Sequence, residues 1–145
     1  MSIEEVRQAS DRFYMALNRM VNGDVSAMFD ACSHADDVSA MHPLGGRQLG
    51  WPEVRASWQM AADALGTSGS VEASDLQITL LGSDGAFTTG TETASATVGG
   101  NPIAFSGRCT NVYRREDAVW KMVHHHVDLL PDVAAAFQAA VGQAG

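Results

Sequence analysis

The sequence lacks the features that would direct a protein to a membrane or to nucleic acid. No apolar run reaches the roughly 18 residues of a spanning helix, and the first ten residues, MSIEEVRQAS, place acids where a secretory signal has its basic and apolar regions. Basic residues are few: nine Lys and Arg stand against 17 Asp and Glu, a net charge of −8. Because such a chain repels phosphate backbones and anionic membrane surfaces, we expect a cytoplasmic protein with neither nucleic-acid nor membrane partner.

Cysteine and cofactor-binding motifs are also scarce. Cys32 and Cys109 are far apart in the chain and form no metal-ligand spacing, which favours buried, reduced thiols. There is no G-x-S-x-G elbow, phosphate-binding loop, dinucleotide fingerprint or paired-carboxylate motif, so we expect no cofactor. The 145 residues, 46% hydrophobic and 18% charged, predict one globular domain over residues 1–145.

Four segments have the signals of helices. A short helix is predicted over residues 25–31, a longer one over 50–66 with Pro52 in its first turn, and a last one from Pro131. The first helix is predicted from apolar residues that recur with a period near 3.6, namely Ile3, Val6, Phe13, Leu17, Met20 and Val21.

The other segments alternate with a period near two, which is typical of strands. A short strand is predicted over residues 38–42, ended by a proline and two glycines. Four long strands separated by turns with Gly or Asp follow, over residues 71–82, 86–98, 102–115 and 119–128. This order predicts an α+β fold in which helices cover one face of an antiparallel sheet. A strongly bent sheet under helices encloses a cavity, a common place for a small ligand.

Three stretches of the sequence, residues 22–46, 50–58 and 108–128, resemble SnoaL-like proteins of the nuclear transport factor 2 superfamily. They contain a Gly-Asp break before the second helix, the helix that covers the cone, and a final hairpin with Trp and His. The resemblance implies a cone-shaped sheet with helices over its concave face, an internal pocket, and a homodimer formed through sheet faces. Its members include isomerases, dehydratases, epoxide hydrolases, cyclases and non-catalytic binding or assembly domains, so the fold leaves the activity open.

Three consecutive histidines in the last predicted strand are the first candidates for chemistry. Alternate residues of a strand face opposite ways, so the sequence predicts two sets. The first set resembles a pocket wall of the family and consists of Trp120, Met122, His124, His126 and Asp128. The second set is expected on the back of the sheet and consists of Lys121, Val123, His125 and Val127. His124 and His126 are therefore predicted to be pocket or catalytic residues.

Two other interpretations of these histidines stay open. The pair His124 and His126 could ligate a metal if His42 and Asp128 completed the set of three or four ligands that a closed site needs. The histidines could also be structural side chains with hydrogen-bond partners in the protein. The related folds rarely hold a metal, and we predict none.

His42, in the stretch AMHPLGG, is the third predicted catalytic residue. It matches the place where related ketosteroid isomerases have an aspartate that acts as general base. Imidazole titrates near neutrality and can act as base or acid without a large pKa shift. Alternatively, His42 caps the turn after its strand through a hydrogen bond. The tyrosine of those isomerases has no clear match, because Tyr14 is half a turn away from its position and Ala16 falls nearer.

Six residues are predicted to contact a ligand: Tyr14, Trp58, Met122, Asn111, Tyr113 and Asp128. Which face of the 106–115 strand lines the pocket stays open, because a bulge reverses the alternation and the pair Ser106-Gly107 is a plausible bulge site.

Two classes of function fit these residues. The first is a cofactor-free acid/base enzyme, an isomerase, dehydratase or cyclase, that acts on a small, largely apolar or polyketide-like molecule. The second is a non-catalytic ligand-binding or assembly domain. In either case we expect a homodimer through the outer face of the sheet, near Val123 and Val127.

Overall fold

A computed structural model describes residues 3–65 and 68–144, with side chains through residue 141. The helices are α1 (Ile3–Met20), α2 (Ser26–Ala31), α3 (Trp51–Ala64) and α4 (Pro131–Ala144). The strands are β1 (Ser39–His42), β2 (Gly45–Leu49), β3 (Ser70–Leu81), β4 (Gly85–Val98), β5 (Asn101–Glu116) and β6 (Val119–Val127). The predicted end of the third helix, Gly66, lies outside the described residues. Over the described ranges, no helix combines the length and hydrophobicity that crossing a bilayer requires.

The six strands form one open, mixed sheet in the order β2-β1-β6-β5-β4-β3. The predicted α+β architecture is confirmed, with two differences of detail. β1 pairs parallel to β6, and β2 is an additional strand that pairs antiparallel to β1. The proline and glycines expected only to end β1 instead belong to a hairpin, with its turn at residues 43–44 and with Gly45 and Gly46 at the start of β2. Gly45 and Gly46 have φ angles of 109° and 81°, which only glycine adopts readily.

The helices cover one face of the sheet, called the inner face below, and the core lies between the two layers. α1 buries most of the stripe predicted from its periodicity, including Phe13 and Leu17, although Ile3 is exposed. α3 buries Trp58. Each large apolar side chain removed from water in this way contributes about 1.5–3 kcal/mol. On the facing side, β4 presents mostly small residues, which leaves room for the helices. These are Ala86, Thr88, Gly90, Ala94, Ala96 and Val98.

A β-bulge in β6 decides which histidines face the core. Val112 of β5 pairs with His124 and Tyr113 pairs with Met122, so Val123 is an extra residue on β6. The extra residue reverses the alternation beyond it. The assignment of His124 and His126 to the inner face is therefore wrong.

The faces of β6 beyond the bulge follow from this reversal. His125 and Val127 are buried on the inner face together with Trp120 and Met122, while His126 is exposed on the opposite, outer face. Val127 consequently does not belong to the outer surface where the sequence placed it.

The register of β4 and β5 runs unbroken from Gly85↔Arg114 to Val98↔Asn101. The bulge proposed at residues 106–107 is therefore absent from this pairing. Alternation along β5 buries Cys109, Asn111 and Tyr113. This settles the question left open for β5: its odd-numbered residues face the helices.

Candidate active site

A cavity of about 70 Å³ lies between the inner face of the sheet and helices α1, α3 and α4. Most of its lining is apolar and includes Leu17, Trp58, Ala61, Ile103, Phe105 and Phe137. Three titratable side chains interrupt this lining: His42, Glu92 and His125. No Lys or Arg is found among the described residues that line it. The volume is about half that of the roughly 150 Å³ cavity that admits benzene, so a larger ligand requires the walls to move.

His42 ends β1 and is 5% exposed, with its Nε2 atom 2.8 Å from the Oγ atom of Ser57 on α3. The Ser57 hydroxyl donates its only hydrogen to the carbonyl oxygen of Val54 at 2.7 Å. It must therefore accept from His42, which makes Nε2 the protonated nitrogen and leaves the lone pair on Nδ1. Burial lowers the pKa of His42 to about 4, so the imidazole is neutral at pH 7.

His125 is 3% exposed, and its Nδ1 atom lies 2.6 Å from Oδ1 of Asn111. An amide oxygen only accepts hydrogen bonds, so Nδ1 of His125 carries the proton and Nε2 carries the lone pair. Burial holds the pKa of His125 well below its ordinary value, and the neighbouring His42 lowers it further. This imidazole is also neutral at pH 7.

Behind His125, three more side chains continue what we call the hydrogen-bond chain: Asn111, Tyr14 and Glu92. Nδ2 of Asn111 donates to the Tyr14 hydroxyl oxygen at 3.2 Å, and the Tyr14 hydroxyl donates to Oε2 of Glu92 at 2.7 Å. Burial and the Glu92 charge raise the pKa of Tyr14, which therefore stays a phenol. Glu92 itself is 3% exposed, and burial raises the pKa of its carboxyl group despite the Tyr14 hydrogen bond.

Aromatic packing holds the two imidazoles close together. The ring centroids of His42 and His125 are 5.9 Å apart, and the Trp58 ring lies 4.6 Å from His42 and 5.4 Å from His125. A hydrogen bond from the Trp58 side chain lowers the pKa of the Cys32 thiol, although burial dominates and raises it to about 12. The indole N–H is thus directed at Cys32, and the polar side chains left to meet a ligand are His42, Glu92 and His125.

A family model described as the SnoaL-like domain matches residues 6–130. The chain belongs to the SnoaL-like family. No match to a curated protein was found.

Solved structures share the SnoaL-like fold over most of the chain. A Streptomyces avermitilis protein proposed to be a dehydratase of the nuclear transport factor 2-like family is 24% identical, with a TM-score of 0.76 over 88% of this chain and 95% of that one. A Novosphingobium aromaticivorans protein proposed to be an aromatic ring hydroxylase is 15% identical, with a TM-score of 0.74 over 90% and 92%. A Thiobacillus denitrificans protein proposed to be a calcium/calmodulin-dependent protein kinase type II association domain is 28% identical, with a TM-score of 0.63 over 86% and 94%.

Only some of the predicted site residues line the cavity. His42 and Trp58 line it, and Asn111 and Tyr14 stand behind it in the hydrogen-bond chain. Two other predicted ligand contacts are buried on the inner face but do not line the cavity, namely Met122 and Tyr113.

The remaining predicted site residues lie on the outer face of the sheet. Nδ1 of His124 is 2.7 Å from Oγ of Ser39, His126 is exposed, and Asp128 pairs with Arg108 at 2.9 Å. His42, on the inner face, is therefore separated by the sheet from the other three members of the hypothetical metal set. Across the described ranges, no three His, Cys, Asp or Glu side chains are grouped as a metal site requires.

Sequence reasoning missed two residues of the cavity, Glu92 and His125. Glu92 could have been found from the alternation of β4. It lies on the same face of the strand as Ala94, Ala96 and Val98 and is the one charged residue on that apolar face. His125 could not, since alternation alone places it on the outer face and nothing in the sequence indicates the extra residue at Val123.

Proposed function

We propose that this SnoaL-like protein is a cofactor-independent acid/base enzyme, an isomerase, dehydratase or cyclase, acting on a small, largely apolar molecule. The observation that carries the proposal is the convergence of His42, Glu92 and His125 on one apolar cavity. Perturbed titratable groups of opposite type in a common cavity are characteristic of acid/base sites. A polyketide-sized ligand would need the cavity walls to open.

The three groups are suited to a two-proton exchange that creates no net charge in the cavity. Each neutral imidazole has one nitrogen with a free lone pair, which can accept a proton from a carbon next to a carbonyl group. Glu92, whose raised pKa favours the protonated carboxyl group, can donate a proton to the carbonyl oxygen at the same time. The product is an enol, with the substrate C–H bond broken and an O–H bond formed. For a β,γ-unsaturated ketone this enol is a dienol. The imidazolium returns its proton to the γ carbon while the enol O–H returns its proton to the Glu92 carboxylate, which completes an isomerisation.

The test uses deuterium exchange, which requires no knowledge of the natural substrate. The protein is incubated in D₂O with hydroxyacetone or acetone, and loss of the α-proton signals is followed by ¹H NMR. We expect exchange above the buffer rate, reduced at least about tenfold by His42→Gln and by Glu92→Gln. His34→Gln is the matched control, because His34 is exposed and stacks on Trp51 away from the cavity.

Two results would count against the proposal. One is the absence of exchange above buffer with both ketones, and the other is exchange that His42→Gln and Glu92→Gln leave unchanged.

A non-catalytic ligand-binding or assembly role is the second candidate. The cavity is small, and His42 and His125 each already have a hydrogen-bond partner in the protein, as structural histidines do. The resemblance to the Thiobacillus protein proposed to be an association domain also favours it. Saturable binding of the ketones without any exchange would support this candidate over the enzyme.

We also propose the homodimer through the outer face. The helices leave that face uncovered, and its centre carries polar side chains of β4 and β5, among them Thr91 and Thr110. Light scattering at micromolar concentration should give twice the monomer mass of 15.3 kDa. The charged substitution Thr91→Glu should shift the mass toward the monomer, and a wild-type monomer would contradict the proposal.

A further inference from the structure

We propose that Asn111 and Tyr14 are positioning residues that lock His125 in the tautomer with the proton on Nδ1, and that the cavity thereby selects an uncharged ligand that donates a hydrogen bond from a hydroxyl group. This inference deepens the proposed function, on which it rests by taking the same cavity as the site. It adds the ligand class and two residues that act through His125.

The direction of the hydrogen-bond chain follows from its carboxylate end. Oε2 of Glu92 accepts a hydrogen bond from the Tyr14 hydroxyl at 2.7 Å. The Tyr14 oxygen then accepts from Nδ2 of Asn111 at 3.2 Å. This orients the amide so that Oδ1 faces His125, and the 2.6 Å contact requires the imidazole proton on Nδ1.

Protonation of Glu92 does not by itself reverse this direction. A Glu92 carboxyl group can donate to the Tyr14 oxygen, which has a second lone pair. The Tyr14 hydroxyl can then turn to the Sγ atom of Cys109, 3.6 Å away. Asn111 still donates to Tyr14 in that arrangement. Only a rotated Asn111 amide would give His125 the other tautomer.

The tautomer of the second imidazole, that of His42, is also fixed, by a contact that does not involve the hydrogen-bond chain. Ser57 fixes the proton of His42 on Nε2, because its own hydrogen is bound to the Val54 carbonyl oxygen. The cavity therefore contains two hydrogen-bond acceptors on rings whose centroids are 5.9 Å apart. A hydroxyl group between them satisfies a lone pair, whereas a ketone of the same shape leaves both acceptors without a donor.

Ligand charge is restricted by what lines the cavity. An anion would enter an apolar space in which no described lining residue is Lys or Arg, at a high desolvation cost. A cation would be paired only by Glu92. The acceptors and the apolar walls together point to a small neutral alcohol, enol or phenol, which in the proposed reaction is the enol formed from the ketone.

The tautomer can be measured without any ligand. In protein labelled with ¹⁵N-histidine at pH 7, two-bond ¹H–¹⁵N correlations should show His125 with a protonated Nδ1 and a bare Nε2. Tyr14→Phe should release Asn111 and convert this pattern into a mixture of tautomers, and so should Asn111→Leu. Thr110→Val, on the outer face beside Asn111, is the matched control and should keep the wild-type pattern.

The wild-type spectrum decides this part even if a variant fails to fold. A protonated Nε2 in the wild type overturns the proposal, and so does a wild-type pattern that persists in Tyr14→Phe.

Ligand class is tested with three probes on one carbon skeleton that suits the small cavity: propan-2-ol, acetone and isopropylammonium. Titrations followed by protein NMR should show that the alcohol binds at least about tenfold more tightly than the ketone or the cation. Tyr14→Phe should reduce the preference for the alcohol, while Thr110→Val should not.

Equal binding of alcohol and ketone, tightest binding of the cation, or no saturable binding of any probe overturns the assigned ligand class. The outcome is separable from that of the proposed function. An alcohol preference with no deuterium exchange in the ketones contradicts the proposed enzymatic function but supports this inference.

Discussion

The inner and outer faces of β6 place chemically identical side chains in contrasting surroundings. His125 is 3% exposed, hydrogen-bonded to a buried amide and surrounded by aromatic rings. Its neighbours His124 and His126 lie across the sheet, His124 against the Ser39 hydroxyl and His126 exposed. The comparison shows that the face of the strand on which a histidine lies decides whether it is a neutral acceptor in an apolar cavity or a polar surface group.

The largest expected effect compares adjacent residues of β5, one on each face. Asn111→Ala leaves the His125 Nδ1–H and the Tyr14 hydroxyl without their amide partner and opens a void, which should cost about 4 kcal/mol of unfolding free energy. Thr110→Ala on the outer face should change it by less than about 0.5 kcal/mol. Urea denaturation at pH 7 measures both values.

Similar losses of unfolding free energy for Asn111→Ala and Thr110→Ala would mean that the two faces of β5 do not differ in their contribution to stability. A small loss for Asn111→Ala alone would mean that water or another side chain replaces the amide, and that the hydrogen-bond chain contributes little to stability.

The second effect is a pH dependence caused by the buried His42. Its pKa is about 4 in the folded protein against an ordinary 6.5, so the unfolded chain binds more protons at pH values between these two. Stability attributable to His42 is therefore present above pH 6.5, is lost as the pH falls toward 4, and stays lost below. The loss amounts to about 3 kcal/mol.

Unfolding free energies from pH 7.5 to 4 test this dependence. His42→Phe should flatten the acid limb relative to wild type, since the difference between the two curves removes the contributions of the other groups. Ser57→Ala is the control, because it weakens the protein but keeps the histidine, and its acid limb should remain. An acid limb equally steep in His42→Phe would place the acid sensitivity elsewhere.

The smallest effect separates two buried cysteines at different depths. Burial raises the pKa of Cys32 to about 12 and that of Cys109 to about 11. Because the thiolate is the reactive form, Cys109 should react with Ellman's reagent several-fold faster than Cys32 in the native protein. Faster reaction of Cys32, identified by peptide mapping, would contradict this order.

The sequence predicted the elements better than the site. Periodicity located α1, α3, β4, β5 and β6, since each buries one stripe or face, and turn residues bounded β3, which is mostly exposed. It failed where a local backbone feature has no residue signature. The extra residue at Val123 moved His125 inward, and residues 43–44 turn the chain into β2, which was not predicted. His42 was identified through its position after the first strand. Glu92 was overlooked although the alternation of β4 places it on the apolar face of that strand.

The bulge in β6 has a consequence for mutational tolerance. With three histidines in succession, insertion or loss of one residue upstream would exchange which histidine faces the cavity but would still leave a histidine there. A single histidine at residue 125 would be lost from the cavity by the same change. The triplet therefore keeps an imidazole in the cavity whatever the strand register. The exact position of that imidazole and its amide partner would still change with the register.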